Sequence, residues 1–217
     1  MRFAKKSLGQ NFLIDKNIIK KIIDLVQISN KNIIEIGPGE GALTNEIIKR
    51  NPKSLILIEK DAELVKKLKI KYSSFKFIKI HNADILKFDL ENIILKDTSI
   101  FGNLPYNISS QILVKILKFE KWPPNFCNLV FMFQKELGEK IIGKYQTKNY
   151  GRLSILSNYR LNIVKKFFVS PNCFFPKPKI TSMVISFNPK DLFIYNIKKI
   201  NNLEKVTNTF FSNKRKM

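Results

Sequence analysis

Cysteine and histidine are nearly missing from this chain, and acidic residues are in short supply. Cys127, Cys173 and the single histidine, His81, are too few for a disulfide framework or a zinc site, a usage that fits a reducing compartment. No apolar run is long enough to span a bilayer, and Met1 to Gln10 is polar and basic, unlike a secretory leader. A cytoplasmic location is expected. With 17 acidic side chains against 39 basic ones, the net charge is +22, which points to a polyanionic partner. Arginine is scarce too, confined to Arg2, Arg50, Arg152, Arg160 and Arg215. The basic excess is therefore lysine, in a chain also rich in Asn and Ile, and part of it reads as compositional drift on a solvated surface. At 217 residues and 44% hydrophobic, the sequence can bury a substantial core, as one main domain with an appendage.

What is present is most informative at Phe101-Gly102-Asn103-Leu104-Pro105-Tyr106-Asn107, which follows the β-like run Thr98 to Ile100. An amide, a backbone bend and an aromatic ring stand side by side at an expected strand end. An exocyclic amine on a flat base needs this set, because Asn103 and a neighbouring backbone carbonyl can accept its two N–H protons while Tyr106 stacks on the ring. Adenine is such a base. The same composition also makes an ordinary turn, since Pro105 presets φ and biases Leu104 toward an extended conformation.

Upstream, Glu35-Ile36-Gly37-Pro38-Gly39-Glu40-Gly41 separates a strand candidate, Asn32 to Ile36, from a helix-like segment, Ala42 to Arg50. Strand, glycine turn and helix form the first crossover of a doubly wound α/β sheet, with its ligand crevice at the carboxyl ends of the strands. Gly37-x-Gly39-x-x-Ala42 also satisfies a dinucleotide fingerprint, with Glu59 at the end of the run Ser54 to Ile58 where a ribose-binding acid is expected. A third acid, Asp84, follows the strand candidate Phe75 to Ile80. Acids ending two successive strands suit a nucleoside with a charged tail at the glycine turn, and no second substrate domain of dehydrogenase size is available. S-Adenosylmethionine therefore ranks above NAD.

The remaining apolar pattern reads as scaffold. Ile18, Ile19, Ile22, Ile23 and Val26 recur at helical spacing after the cap candidate Asp15, and Ile112, Leu113, Ile116 and Leu117 do so after Ser109 and Ser110. Asn128 to Phe133 reads as a fifth strand, and Asn162 to Val169 with Ile180 to Phe187 as an antiparallel pair. Both cysteines read as structural.

Lys6 to Leu13, the Glu35 to Gly41 turn, Ile58 to Asp61, Asn82-Ala83-Asp84, Gly102 to Asn107, Phe133 to Glu136, Tyr150 to Ser154 and Phe174 to Lys179 occur in a fixed order. On these strings nearly the whole chain resembles the small-subunit ribosomal RNA adenine dimethyltransferases, relatives of the erythromycin-resistance methylases. The resemblance implies a Rossmann-like class I S-adenosylmethionine-dependent methyltransferase with a seven-stranded sheet. It also implies N6,N6-dimethylation of two adjacent adenines near the 3′ end of small-subunit ribosomal RNA during ribosome biogenesis. Asn11 and Leu13 would close over the cofactor, Gly37 would lie beside its methionine part, Glu59 would hold the ribose hydroxyls, and Asp84 would meet the adenine amine. Asn103 would serve both sites, with the Leu104 carbonyl accepting the second amine proton at the bend made by Pro105. Tyr106 and Phe174 would sandwich the flipped base.

Basic residues near these motifs, Lys5, Lys6, Lys135, Arg152, Lys177 and Lys179, are candidates for an RNA-contacting rim. Residues 1–189 would form the catalytic domain. Asn201 to Phe211 and Asn213 to Lys216 resemble the start of a small helical carboxyl-terminal domain, so residues 190–217 read as a shortened version of it. A monomer acting on immature small subunits is expected. Three other readings share features: a resistance-type methylase of large-subunit RNA, a DNA adenine methylase, and a non-catalytic ribosome-assembly factor.

Overall fold

The computed structural model describes residues 10–191 and 200–212. Its centre is a seven-stranded sheet made of β2 (Asn32–Ile36), β3 (Ser54–Glu59), β4 (Ile78–Asn82), β5 (Thr98–Asn103), β6 (Phe126–Gln134), β7 (Leu161–Val169) and β9 (Ser182–Pro189). The strand order is β4-β3-β2-β5-β6-β9-β7. The first five in that order are parallel, and β9 pairs antiparallel with both β6 and β7. A separate two-stranded ribbon joins β1 (Phe12–Leu13) to β8 (Phe174–Phe175), pairing Phe12 with Phe175 and Leu13 with Phe174.

Alternation along the strands makes two cores. Ile34, Ile100, Leu129, Phe131 and Phe133 face one layer, while Ile33, Phe101, Val130 and Met132 face the other, as side chains on a pleat must. The second layer is closed by α1 (Lys16–Ile23), α2 (Ala42–Ile48) and α3 (Ala62–Lys71), which bury Ile19, Ile23, Leu43, Ile47 and Leu68. The first layer is closed by α4 (Ser109–Leu117), α5 (Lys135–Ile141) and α6 (Arg152–Arg160), through Ile112, Leu113, Ile116, Ile141 and Leu156. A last helix, α7 (Ile200–Ser212), lays Ile200 and Leu203 on that layer and ties Glu204 to Lys118 of the loop after α4 at 2.5 Å.

Two strands sit later in the chain than the apolar pattern suggests. Phe75 to Phe77 precede β4 instead of forming it: Phe75 and Ile78 close turns onto the Tyr72 and Phe75 carbonyls, and Tyr72, Phe75 and Phe77 pack edge to face. Ile180 lies in a bend before β9, 40% exposed, downstream of Pro176 and Pro178.

The strand order reverses between β2, which leads to β3 and β4, and β5, which leads to β6. Crevices for ligands open at such a reversal, beyond the carboxyl ends of the strands. Glycine-turn and Asn103 motifs both start there, since Ile36 is paired with Gly102.

Asp15 caps α1, its carboxylate accepting the N–H groups of Asn17 at 2.9 Å and Ile18 at 3.0 Å. Asp15→Ala is expected to lower unfolding stability by about 1 kcal/mol, measured by urea denaturation, because two helix N–H groups lose their acceptor.

Candidate active site

A cavity of about 620 Å³ opens at this reversal, within the range that takes a nucleoside-sized ligand. Asn11, Leu13, Gly37, Glu59, Asp84 and Asn103, expected to bind cofactor, all line it, as do Leu104, Pro105 and Tyr106.

The glycine turn makes room. Gly37 and Gly39 take φ of +67° and +58°, a region that favours glycine, and a Cβ on Gly39 would come within 3.0 Å of the Phe12 ring. The backbone can therefore approach a ligand where a side chain would block it. Across the crevice the nearest atom to a Cβ built on Gly37 is the Asn103 carbonyl oxygen, 3.8 Å away.

Glu59, the last residue of β3, is 8% exposed; its Oε2 accepts the Gly39 N–H at 3.2 Å and its Oε1 the Asp61 N–H at 2.9 Å. Burial raises its pKa, partly offset by these donated hydrogen bonds. Asp84 is the opposite case. Its Oδ2 meets Lys60 Nζ at 2.9 Å and its Oδ1 accepts the Leu86 N–H at 3.0 Å, so its pKa is lowered, chiefly by Lys60. The pair supplies two carboxylates to the cavity, beside a turn whose Gly37 and Gly39 carry no side chain. That donor set fits the adenosine and charged tail of S-adenosylmethionine.

Asn103 ends β5 with its Nδ2 donating to the Asn11 carbonyl at 3.1 Å. This bond fixes the orientation of the amide and leaves Oδ1 as an acceptor. Tyr106 is half-buried in the following turn; its hydroxyl shares a 2.5 Å hydrogen bond with Ser182 Oγ, while burial raises its pKa.

Phe174 departs from expectation. It is 3% exposed and belongs to the core cluster that includes Leu13 and Val184, not to the cavity wall. The cause is its pairing with Leu13: alternation along β8 turns Phe174 inward and leaves Phe175 47% exposed. The expected two-sided aromatic sandwich is not formed in this structure.

The basic candidates divide as well. Lys5 and Lys6 lie outside the described residues. Lys177 and Lys179 are exposed beyond β8, and Lys135 lies over the Phe168 ring, 5.3 Å from its centroid. Arg152 hydrogen-bonds Asn208 of α7 at the surface.

Two features are not legible from motifs. Ser182, the partner of Tyr106, carries no local signal. Glu35 does: an acid inside the apolar strand Asn-Ile-Ile-Glu-Ile. It is 1% exposed, lines the cavity and accepts the Thr44 hydroxyl at 2.6 Å; burial pushes its pKa up to about 7.

Comparison with known proteins follows the same direction. All 217 residues match the family model described as "Ribosomal RNA adenine dimethylase". The chain is 48% identical over 220 residues to ribosomal RNA small subunit methyltransferase A of Pelagibacter ubique (strain HTCC1062), covering 99% of this chain and 80% of that one. It is 45% identical over 218 residues to the protein of the same description from Malacoplasma penetrans (strain HF-2), covering 99% and 76%. Among solved structures, a dimethyladenosine transferase from Plasmodium falciparum superposes with a TM-score of 0.80 at 28% identity, over 94% of this chain and 71% of that one. The 23S rRNA methyltransferase ErmE gives 0.73 at 26% identity, over 93% and 79%.

Because the folded protein keeps the Glu35 proton to a higher pH than the unfolded chain does, this residue should make stability fall as pH rises from about 4.5 to about 7. The slope is at most about 1.4 kcal/mol per pH unit. Denaturation of Glu35→Gln across this range should lack that component, with the difference from the unsubstituted protein constant above and below it.

Proposed function

The chain belongs to the ribosomal RNA adenine dimethylase family, and we propose that its Asn103 turn holds the target amine beside the cofactor cavity. It is an enzyme, a small-subunit ribosomal RNA adenine N6,N6-dimethyltransferase with the class I methyltransferase fold, and its cofactor is S-adenosylmethionine. When bound, S-adenosylmethionine supplies a methyl carbon made electrophilic by a positively charged sulfur.

Glu59 would take the ribose hydroxyls, Asp84 the adenine amine of the cofactor, and the turn at Gly37 its methionine end. Asn11 and Leu13 would cover it from the arm, and Asn103 would serve both ligands. The observation that carries this reading is the Asn103 Nδ2 bond to the Asn11 carbonyl at 3.1 Å.

An aminopurine nitrogen is a poor nucleophile because its lone pair is delocalised into the ring. With Asn103 Nδ2 engaged, Oδ1 accepts one N–H of the target, and the Leu104 carbonyl accepts the other. Pro105 brings no N–H to compete for these acceptors. Two accepted protons localise the nitrogen lone pair and orient it. No strong base is required, since the nitrogen becomes acidic only after gaining the methyl, when its proton can pass to water. Tyr106 stacks on the base, its ring pinned by the hydroxyl bond to Ser182. Phe174, beneath Leu13, acts as support for the arm.

The targets are two adjacent adenines near the 3′ end of the RNA, in immature small subunits, and the protein acts as a cytoplasmic monomer. No helix among the described residues is long and apolar enough to cross a membrane. Residues 1–189 are the catalytic domain, and the helix Ile200–Ser212 belongs to a separate helical appendage. Lys135, Lys177 and Lys179 contribute to RNA contact.

Tritiated methyl transfer to undermethylated small subunits, with naked RNA and DNA as controls, tests the assignment. Asn103→Ala should fold normally and lose at least about 100-fold in turnover, as when one oriented transition-state contact is removed; near-normal incorporation would remove Asn103 from the mechanism. Tyr106→Ala should weaken RNA binding by about 1 to 3 kcal/mol in a filter-binding titration.

A further inference from the structure

We propose that the groove between α1 and the outer edge of β7 carries the ribosomal RNA strand away from the cavity, its phosphates held by Lys20, Lys21, Lys165 and Lys166. This rests on the substrate reading above.

β7 is an outer strand of the sheet, paired with β9 alone, and residues 162–166 along it are exposed. Such an edge is normally blunted by charge. Here lysines from two elements converge on one groove: Lys20 and Lys21 from α1, Lys165 and Lys166 from β7. The one acid lining it, Asp24, is 2.6 Å from Arg50 and so is already neutralised. Lys49, Lys60, Lys118 and Lys140 find acidic partners, but none of the four groove lysines pairs with an acid among the described residues. Four like charges gathered without counter-charge repel one another, and a polyanion relieves that repulsion while releasing its own counterions.

An aromatic ring interleaves with the charge: Lys21 Nζ lies 4.3 Å from the centroid of Phe167, which lines the groove. Ammonium groups for phosphates beside a ring for bases are what a single nucleic-acid strand requires.

The groove also borders the active site. Lys20 lines both the groove and the cavity, and Lys16, one turn earlier on α1, lines the cavity as well. β7 runs in the direction of β6, so its Phe168 end lies at the catalytic end of the sheet. Only an acidic protein strand on the same edge would relieve the charge of these lysines, whereas every RNA strand does so through its phosphates.

The test compares Lys165→Ala/Lys166→Ala, and separately Lys20→Ala/Lys21→Ala, with Lys53→Ala/Lys96→Ala, which removes equal charge at the opposite end of the sheet. Affinity for a 3′ fragment of small-subunit ribosomal RNA is read by fluorescence anisotropy over a series of salt concentrations. Each groove variant should lower the slope of log K against log salt by about 1 to 2, and weaken binding severalfold. The calorimetric affinity of Lys165→Ala/Lys166→Ala for S-adenosylmethionine should stay unchanged, and the control pair should keep the original slope. An unchanged slope in the groove variants, or an equal loss in the control pair, would overturn the proposal. So would a loss seen only with intact subunits and not with naked RNA, which would assign the edge to a ribosomal protein. If the unsubstituted protein itself bound the RNA without salt dependence, the substrate reading would fail first; a steep slope there, untouched by the groove variants, isolates failure of the groove.

Discussion

The parallel pairing of β2 with β5 is the constraint on which the site depends. Ile36 lies opposite Gly102, so the chains leaving both strands diverge from adjacent points, one into the glycine turn and the other into the Asn103 turn. Nothing in either motif alone brings cofactor and base together. The reversal of strand order does, because helices leave opposite faces of the sheet there and the space between their entries is left open. Glu59 and Asp84 both line the cavity because β3 and β4 run parallel to β2: Glu59 ends β3 and Asp84 lies two residues beyond β4, at the same end of the sheet.

Electrostatics within the cavity are divided in a useful way. Glu35 and Glu59 are both buried on this side, and for each burial is the largest influence, raising the pKa. Asp84 is held ionised by Lys60. A sulfonium-bearing ligand would bring positive charge into a pocket whose acids are otherwise under strain from desolvation, so binding and acid ionisation favour one another. The cavity lining balances Glu35, Glu40, Glu46, Glu59 and Asp84 against Lys16, Lys20, Lys49, Lys60 and Lys71, so it does not share in the basic excess of the chain.

Much of this was legible in the sequence, for physical reasons that differ by region. Strands β2, β3 and β5 follow from short apolar runs ended by Gly, Glu and Asn, and α1 from its spacing and the Asp15 cap. Apolar content misleads at Phe75 to Phe77, where rings pack against each other and against Tyr72 without joining the ladder. The wall of the cavity was legible because its residues sit at strand ends, where order along the chain maps onto order in space. Phe174 was not, since its direction depends on pairing with a strand some 160 residues earlier, a register no local pattern encodes. Ser182 meets Tyr106 across a separation of 76 residues and was hidden for the same reason.

Three contacts described separately form a closed circuit. From Asn103 the path crosses to the Asn11 carbonyl, follows the arm to Leu13, steps across the ribbon to Phe174, runs along the chain to Ser182, and returns through the Tyr106 hydroxyl to the same turn. An arm that lifts to admit a ligand must break one of these contacts or carry the proline-rich loop with it, so access to the pocket and aim of the amide are coupled.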